Sequence, residues 1–232
     1  MSRATNKGFT LIELMLAMTF ISLLLLAIAM TIIQIANIYN KGTILREINQ
    51  VSRDVNNEIE RAMRASGSFS LEPSAQRYVN NTVGGRLCLG QFTYVWNYGE
   101  ALGNNDSELN VYTDGSPLVF VKVPDSGANY CSLNTVTNNY PAIDRDTATE
   151  LIQSGDHSLV LHKFTVSSSP SATDTLSGQQ LYRVVYIVGT SDVAALNDDR
   201  DSCKPPNVAG ADFNYCSVQE FTLVLRVANG VN

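Results

Sequence analysis

Between residues 14 and 40 this chain carries no charged residue, over 27 consecutive positions. There is no proline before Pro73, no cysteine before Cys88, and only two histidines, His157 and His162, in 232 residues. Each shortage excludes something. With so few histidines, and none of the patterns GxSxG, HExxH or a phosphate-binding P-loop, no enzyme signature is present. The two histidines stand five apart, which in a strand puts them on opposite faces and argues against a shared metal or base. No CxxC pair occurs, so a zinc knuckle is not indicated. Lysine and arginine form no cluster and the formal net charge is −6, so a phosphate-driven nucleic-acid interface is not expected. No cofactor is expected either.

The uncharged run is longer than the ~20 residues a helix needs to cross the hydrocarbon core of a bilayer. It also exceeds the ~7–15 apolar residues of a secretory signal peptide, and no A-x-A-like site closes it. A polar leader, MSRATNK, precedes it, and Gly8 is the small residue at the junction. One acid, Glu13, sits inside the start of the apolar run. A carboxylate at the bilayer centre costs roughly 2.5–3.5 kcal/mol on insertion scales, so its presence calls for a reason.

The segment GFTLIELM, residues 8–15, closely resembles the leader junction of type IV pilins and type II secretion pseudopilins. The resemblance implies cleavage between Gly8 and Phe9 by a membrane-embedded prepilin peptidase, which also methylates the new amine to give N-methyl-phenylalanine. Loss of the leader removes Arg3 and Lys7 and takes the net charge from −6 to −8. It makes Glu13 the fifth residue of the processed chain. The amine of Phe9 in a neighbouring subunit is then a cation in the same low-dielectric layer. Pairing the two offsets both desolvation costs at a single axial offset, so the pair would set register, the best-attested use of buried charge. The family implies the same role for this glutamate.

Past Tyr39 the run turns amphipathic. Ile44, Ile48, Val51, Val55, Ile59 and Met63 recur at helical spacing, with Arg46, Glu47, Arg53, Asp54, Glu58, Glu60, Arg61 and Arg64 between them. The stripe reads as core packing under a head domain. Gly42 is the weak point, costing about 1 kcal/mol against alanine. Ser66-Gly67-Ser68 ends the helix. Many major pilins carry a proline in the apolar half; this chain does not, so the helix is expected to be straighter or to bend near Gly42.

Beyond Pro73 the pattern is that of strands. Segments 87–98 (LCLGQFTYVWNY), 118–123 (LVFVKV), 158–166, 180–189 and 218–227 are rich in β-branched and aromatic residues. The third and fourth read as a hairpin with a long polar link. Tyr94, Trp96 and Tyr98 alternate as one sheet face rather than a binding platform. The expected fold is α+β and pilin-like: a long N-terminal helix, half transmembrane and half amphipathic, packed on an antiparallel sheet of about five to seven strands. The expected divisions are a leader at 1–8, a transmembrane and assembly helix at 9–40, an amphipathic helix at 41–66 and a β-rich head at 67–232.

Four cysteines, Cys88, Cys131, Cys203 and Cys216, lie in that head, an even number that suggests two disulfides outside the cytoplasm. Three pairings exist. Cys203–Cys216 is favoured because it closes a short loop, leaving Cys88–Cys131. The 203–216 loop resembles the disulfide-bounded C-terminal region of type IV pilins. Just before it, LNDDRDSC gathers Asn197, Asp198, Asp199, Asp201 and Ser202, and alternating Asn197, Asp199 and Asp201 are a candidate set of calcium ligands. The glycine and distal glutamate of an EF-hand are missing, and a solvated turn is the preferred reading.

Size, helix charge pattern and a strand-rich C-terminal part make the chain most similar to the PilW-type minor pilins, thought to prime assembly or cap the tip. A J-type minor pseudopilin of a secretion or competence system is the second reading, and a tip adhesin the third. Glu13 argues against the tip pseudopilin class that lacks this acid. The resemblance implies as partners other pilins, the prepilin peptidase and methyltransferase, the inner-membrane assembly platform and the membrane. It implies an inner-membrane location with the head outside the cytoplasm, then an extracellular filament.

Overall fold

A computed structural model describes residues 9–134, 139–152, 157–168, 179–212 and 214–227. The leader, with Gly8, lies outside the described residues, as does most of the polar link between the third and fourth strand segments.

One helix, α1, runs unbroken over Leu11–Ser66, 56 residues, or roughly 84 Å at 1.5 Å per residue. It starts at a capping box: Thr10 and Glu13 satisfy each other's backbone amides. It passes through Gly42 without interruption and stops at Gly67, whose φ of 72° lies in the left-handed region. Its C-terminal half buries Ile44, Ile48, Val55, Ile59 and Met63, five of the six stripe residues, together with Ser52 and Ala62. At roughly 2 kcal/mol each, the five apolar side chains contribute on the order of 10 kcal/mol before entropy is counted.

The head holds two antiparallel sheets, where the sequence suggested one. The first orders β1 (Tyr78–Asn80), β2 (Gly84–Leu89), β3 (Phe92–Asn97), β4 (Phe120–Pro124) and β5 (Thr149–Glu150) side by side. The second orders β6 (Leu159–Ser168), β7 (Gln180–Thr190) and β8 (Val218–Val227). Segment 87–98, expected only to be strand-forming, holds the end of β2, its turn and β3 of one hairpin, because Gly90 takes φ +58° and turns the chain. A short helix α2 (Gly99–Asn104) follows β3, and Tyr98 bridges to Leu161 of β6, linking the sheets.

Both sheets close on the same stripe of α1. One cluster unites the helix residues with Leu87, Tyr94, Trp96 and Phe120 of the first sheet and Leu161, Phe164, Tyr182 and Tyr186 of the second. Trp96 joins the two, with ring centroids 4.5 Å from Phe164 and 6.2 Å from Phe120. Its ring lies over Gly85: a Cβ there would sit 2.4 Å from Trp96 Cζ2, so only glycine fits opposite it in the register. Tyr94, Trp96 and Tyr98 do share one face. The reverse face of β3 and β4, formed by Val95, Val121 and Val123, is also covered, by Leu118, Tyr112 and Ile143.

Candidate functional site

The N-terminal half of α1 is exposed and packs on none of the described residues. Its best membrane-length window has a mean hydropathy of 2.6 and none of it is buried, which separates it from the core helix of a soluble protein. Of the large apolar residues that are exposed among the described residues, all but Leu45, Val208, Tyr215 and Val224 lie between Phe9 and Tyr39. The few hydroxyls within it are satisfied by the helix itself. Thr19 donates to Leu16 O at 2.9 Å, Ser22 to Met18 O at 2.8 Å and Thr31 to Ala27 O at 2.9 Å. Such back-bonding leaves no hydroxyl proton needing water, as a lipid environment demands. This is one helix long and apolar enough to cross a membrane.

Phe9, at 83% exposure, precedes the helix. Glu13 Oε2 accepts from Thr10 N at 2.9 Å and from Thr10 Oγ1 at 2.8 Å, while Glu13 N donates to Thr10 Oγ1 at 3.3 Å. The carboxylate therefore has a partner within its own chain, which the spacing T-x-x-E announces and the sequence reading passed over.

The head is tied to the helix by polar contacts that no motif marks. Glu58 Oε1 accepts from Tyr94 OH at 2.7 Å and pairs with Lys122 Nζ at 2.7 Å, and Arg61 pairs with the other oxygen. Burial pushes the Glu58 carboxyl up. The bonds from Lys122 and Tyr94 and the charges of Lys122 and Arg61 outweigh it and hold the group below its ordinary value. Tyr186 OH donates to Ser52 O or Asn56 Oδ1, 2.9 and 2.7 Å away, and His157 Nδ1 lies 2.9 Å from Glu47 Oε2.

The two disulfides are Cys88–Cys131 and Cys203–Cys216, and no free cysteine remains. The first closes the β2–β3 hairpin onto the turn at Asn129–Cys131, beside Asp125. That buried acid accepts from Thr93 Oγ1 at 2.8 Å and from the amides of Asn129 and Tyr130 at 2.9 and 3.0 Å. The second lies beside a small cluster of Ala195 and Leu196.

Asn197, Asp199 and Asp201 form a turn that bonds to itself. Asn197 Nδ2 donates to Asp201 Oδ1 at 2.8 Å, Ser202 Oγ donates to the same oxygen, and Asn197 Oδ1 accepts from Asp201 N at 3.1 Å. Bonds from Asn197 and Ser202 hold the Asp201 carboxyl below its ordinary value. The described residues contain no group of three or more histidine, cysteine or acidic side chains placed to hold a metal.

The two histidines do not share a strand. His157 precedes β6, and His162 sits at a bulge in the β6–β7 pairing between Leu161 and Lys163. The bulge breaks the simple alternation on which the opposite-face argument rests. His162 is buried, with Nε2 3.1 Å from Thr190 O. Arg86, also buried, is among the polar residues the sequence did not single out, with Asp125, Thr93 and Asn97; a lone charge inside GGRLCLG was its only signal.

No protein-family model, curated protein or solved structure matches the chain.

Proposed function

We propose that this chain is a minor pilin, a non-catalytic subunit of a type IV pilus that enters the filament through its N-terminal helix and primes or caps it. The observation that carries this reading is a single helix with two unlike halves. One half is bare, uncharged beyond Glu13 and internally satisfied; the other is fastened to a β-rich head. Beyond capping the helix, a plain anchor gains nothing from an acid in its apolar run, and the GFTLIELM segment resembles the leader junction of that family.

On this reading the leader is removed after Gly8 and the amine of Phe9 is methylated. Glu13 then exchanges its bonds from Thr10 for the ammonium of Phe9 in the adjacent subunit. The exchange is favourable in lipid because a neutral donor pair is replaced by an opposite charge. The subunit waits in the inner membrane with its head outside the cytoplasm, where the disulfides form.

Mass spectrometry of the native protein should find Phe9 at the N-terminus with a methylated amine. An intact Met1, or a cut beyond the apolar run, would overturn the reading. Glu13→Val should be made and processed yet be largely missing from sheared filaments. Thr10→Val, which removes the hydroxyl bond to Glu13, leaves the backbone one and keeps the acid, should still be incorporated. Normal incorporation of Glu13→Val would show that the acid has no part in assembly.

A further inference from the structure

Arg86 stands in β2 opposite Val95 of β3, so its side chain leaves the sheet on the Val95 face. The residue is 2% exposed. Its Nε and Nη2 donate to Asn110 Oδ1 at 3.0 and 2.7 Å, and its Nη1 donates to Tyr130 O at 2.8 Å and Pro141 O at 3.0 Å. The Tyr140 ring centroid lies 4.9 Å from its central carbon. Every one of these partners is neutral. Among the described residues no carboxylate oxygen comes within 4.0 Å of an Arg86 nitrogen. Burial lowers its pKa to about 10, so it remains a cation at neutral pH. A buried charge without a counter-charge is destabilising, and proteins rarely keep one without use.

The guanidinium is held firmly. Asn110 Nδ2 donates to Trp96 O at 2.9 Å, which orients its oxygen toward Arg86, and Asn110 N donates to Asn97 Oδ1 at 2.8 Å. Asn97 Nδ2 in turn donates to Asn110 O and Leu118 O, both at 2.7 Å. Four of the five N–H groups of Arg86 are accounted for; the fifth is on Nη2. Arg86 also lines a cavity of about 470 Å³, within the usual range of small-molecule sites. Asn81, Ser107, Glu108, Asn139 and Tyr140 share its wall. Asn81 Oδ1 already accepts from Val83 N and Gly84 N, so its Nδ2 is the atom left to meet a ligand.

We propose that this cavity binds a sugar acid, with its carboxylate against Arg86 and its hydroxyls against Asn81, Ser107 and Asn139. One cation matches one negative charge. Glu108 on the wall opposes a second, which disfavours a phosphate dianion. The amide and hydroxyl lining suits a polyhydroxylated body. The site does not depend on the assembly reading, since it lies wholly in the head.

The test is a thermal-shift and calorimetric titration of the full-length protein in detergent micelles at matched ionic strength. The probes are D-glucuronate, its neutral analogues D-glucuronamide and D-glucose, and inorganic phosphate. Glucuronate should bind saturably and raise the melting midpoint, with the neutral analogues and phosphate weaker by about tenfold or more. Arg86→Met should abolish binding. Glu108→Gln, on the exposed rim, should leave the fold intact and tighten glucuronate severalfold; it decides the matter should Arg86→Met fail to fold. Equal binding of glucose or glucuronamide, tighter binding of phosphate, no saturable binding of glucuronate, or an unchanged affinity in Glu108→Gln would each overturn the proposal.

Discussion

Gly42 and Gly85 both lie inside regular elements, and their surroundings give them opposite meanings. A Cβ added at Gly42 meets no atom within 4 Å, so Gly42→Ala should stabilise α1 by about 1 kcal/mol through helix propensity. At Gly85 the same atom would sit 2.4 Å from Trp96 Cζ2 and 2.5 Å from Val79 O. Gly85→Ala should therefore displace Trp96, the residue joining the two sheets, at a cost of roughly 1–3 kcal/mol or more. Chemical denaturation of the two variants should show midpoints moving in opposite directions. His162 gives a pH signature. Burial lowers its pKa from 6.5 to about 4, helped by the nearby charge of Arg200. Above pH 6.5 it is neutral whether folded or unfolded. Below that the unfolded chain takes up a proton that the folded one refuses, so stability falls as pH drops toward 4. The slope approaches about 1.4 kcal/mol per pH unit from this residue. Stability measured between pH 7 and 5 should lose this slope in His162→Gln; an unchanged slope would assign it elsewhere.

Among the elements, the two disulfides constrain unequal lengths of chain. Cys88–Cys131 spans a separation of 43 residues and Cys203–Cys216 one of 13. In the chain-entropy model these are worth roughly 4 and roughly 3 kcal/mol. The larger loop also contains β3 and β4 and ends at the turn capped by Asp125. Replacing both cysteines of a pair by serine should thus lower the melting temperature more for 88/131 than for 203/216. Differential scanning calorimetry of the two variants checks the order. Helix α1 behaves as two elements in one. Its distal half is locked by the buried stripe and by Glu58, Tyr94 and Lys122, while its proximal half has no tertiary contact to lose among the described residues.

At the scale of the molecule, the apolar surface is divided by position along the chain rather than by face. Once the first forty or so residues are gone, Leu45, Val208, Tyr215 and Val224 are the large apolar side chains left exposed among the described residues. Four such residues make too little exposed apolar surface to drive association. A fragment beginning at Gly42 should accordingly be monomeric and soluble without detergent, whereas the full chain should partition into membranes. Size-exclusion chromatography and membrane flotation test both halves of that statement; a fragment that aggregates would mean the sheets do not cover the stripe by themselves.

Much of this organisation is written locally. The uncharged run, the helical spacing from Ile44 to Met63 and the strand at 218–227 depend on hydrophobic period and composition, which act over a few residues at a time. The even cysteine count and the short 203–216 loop likewise suggested the disulfide pairing found in the structure. Other features required distant segments to meet. The hairpin inside 87–98 depends on Gly90 turning, since its flanks read equally well as one strand. The division into two sheets follows from Trp96 and Phe164 packing together on one helix face, a contact across 68 residues that no local pattern encodes. Arg86 looked like an ordinary strand charge until loops from three regions closed over it. Sequence alone determined the long helix, its membrane-length run and the longer strand segments, because those choices are made by neighbours along the chain. Only the tertiary structure decided which charges are buried and what they face, because burial is set by residues that the chain brings together from far apart.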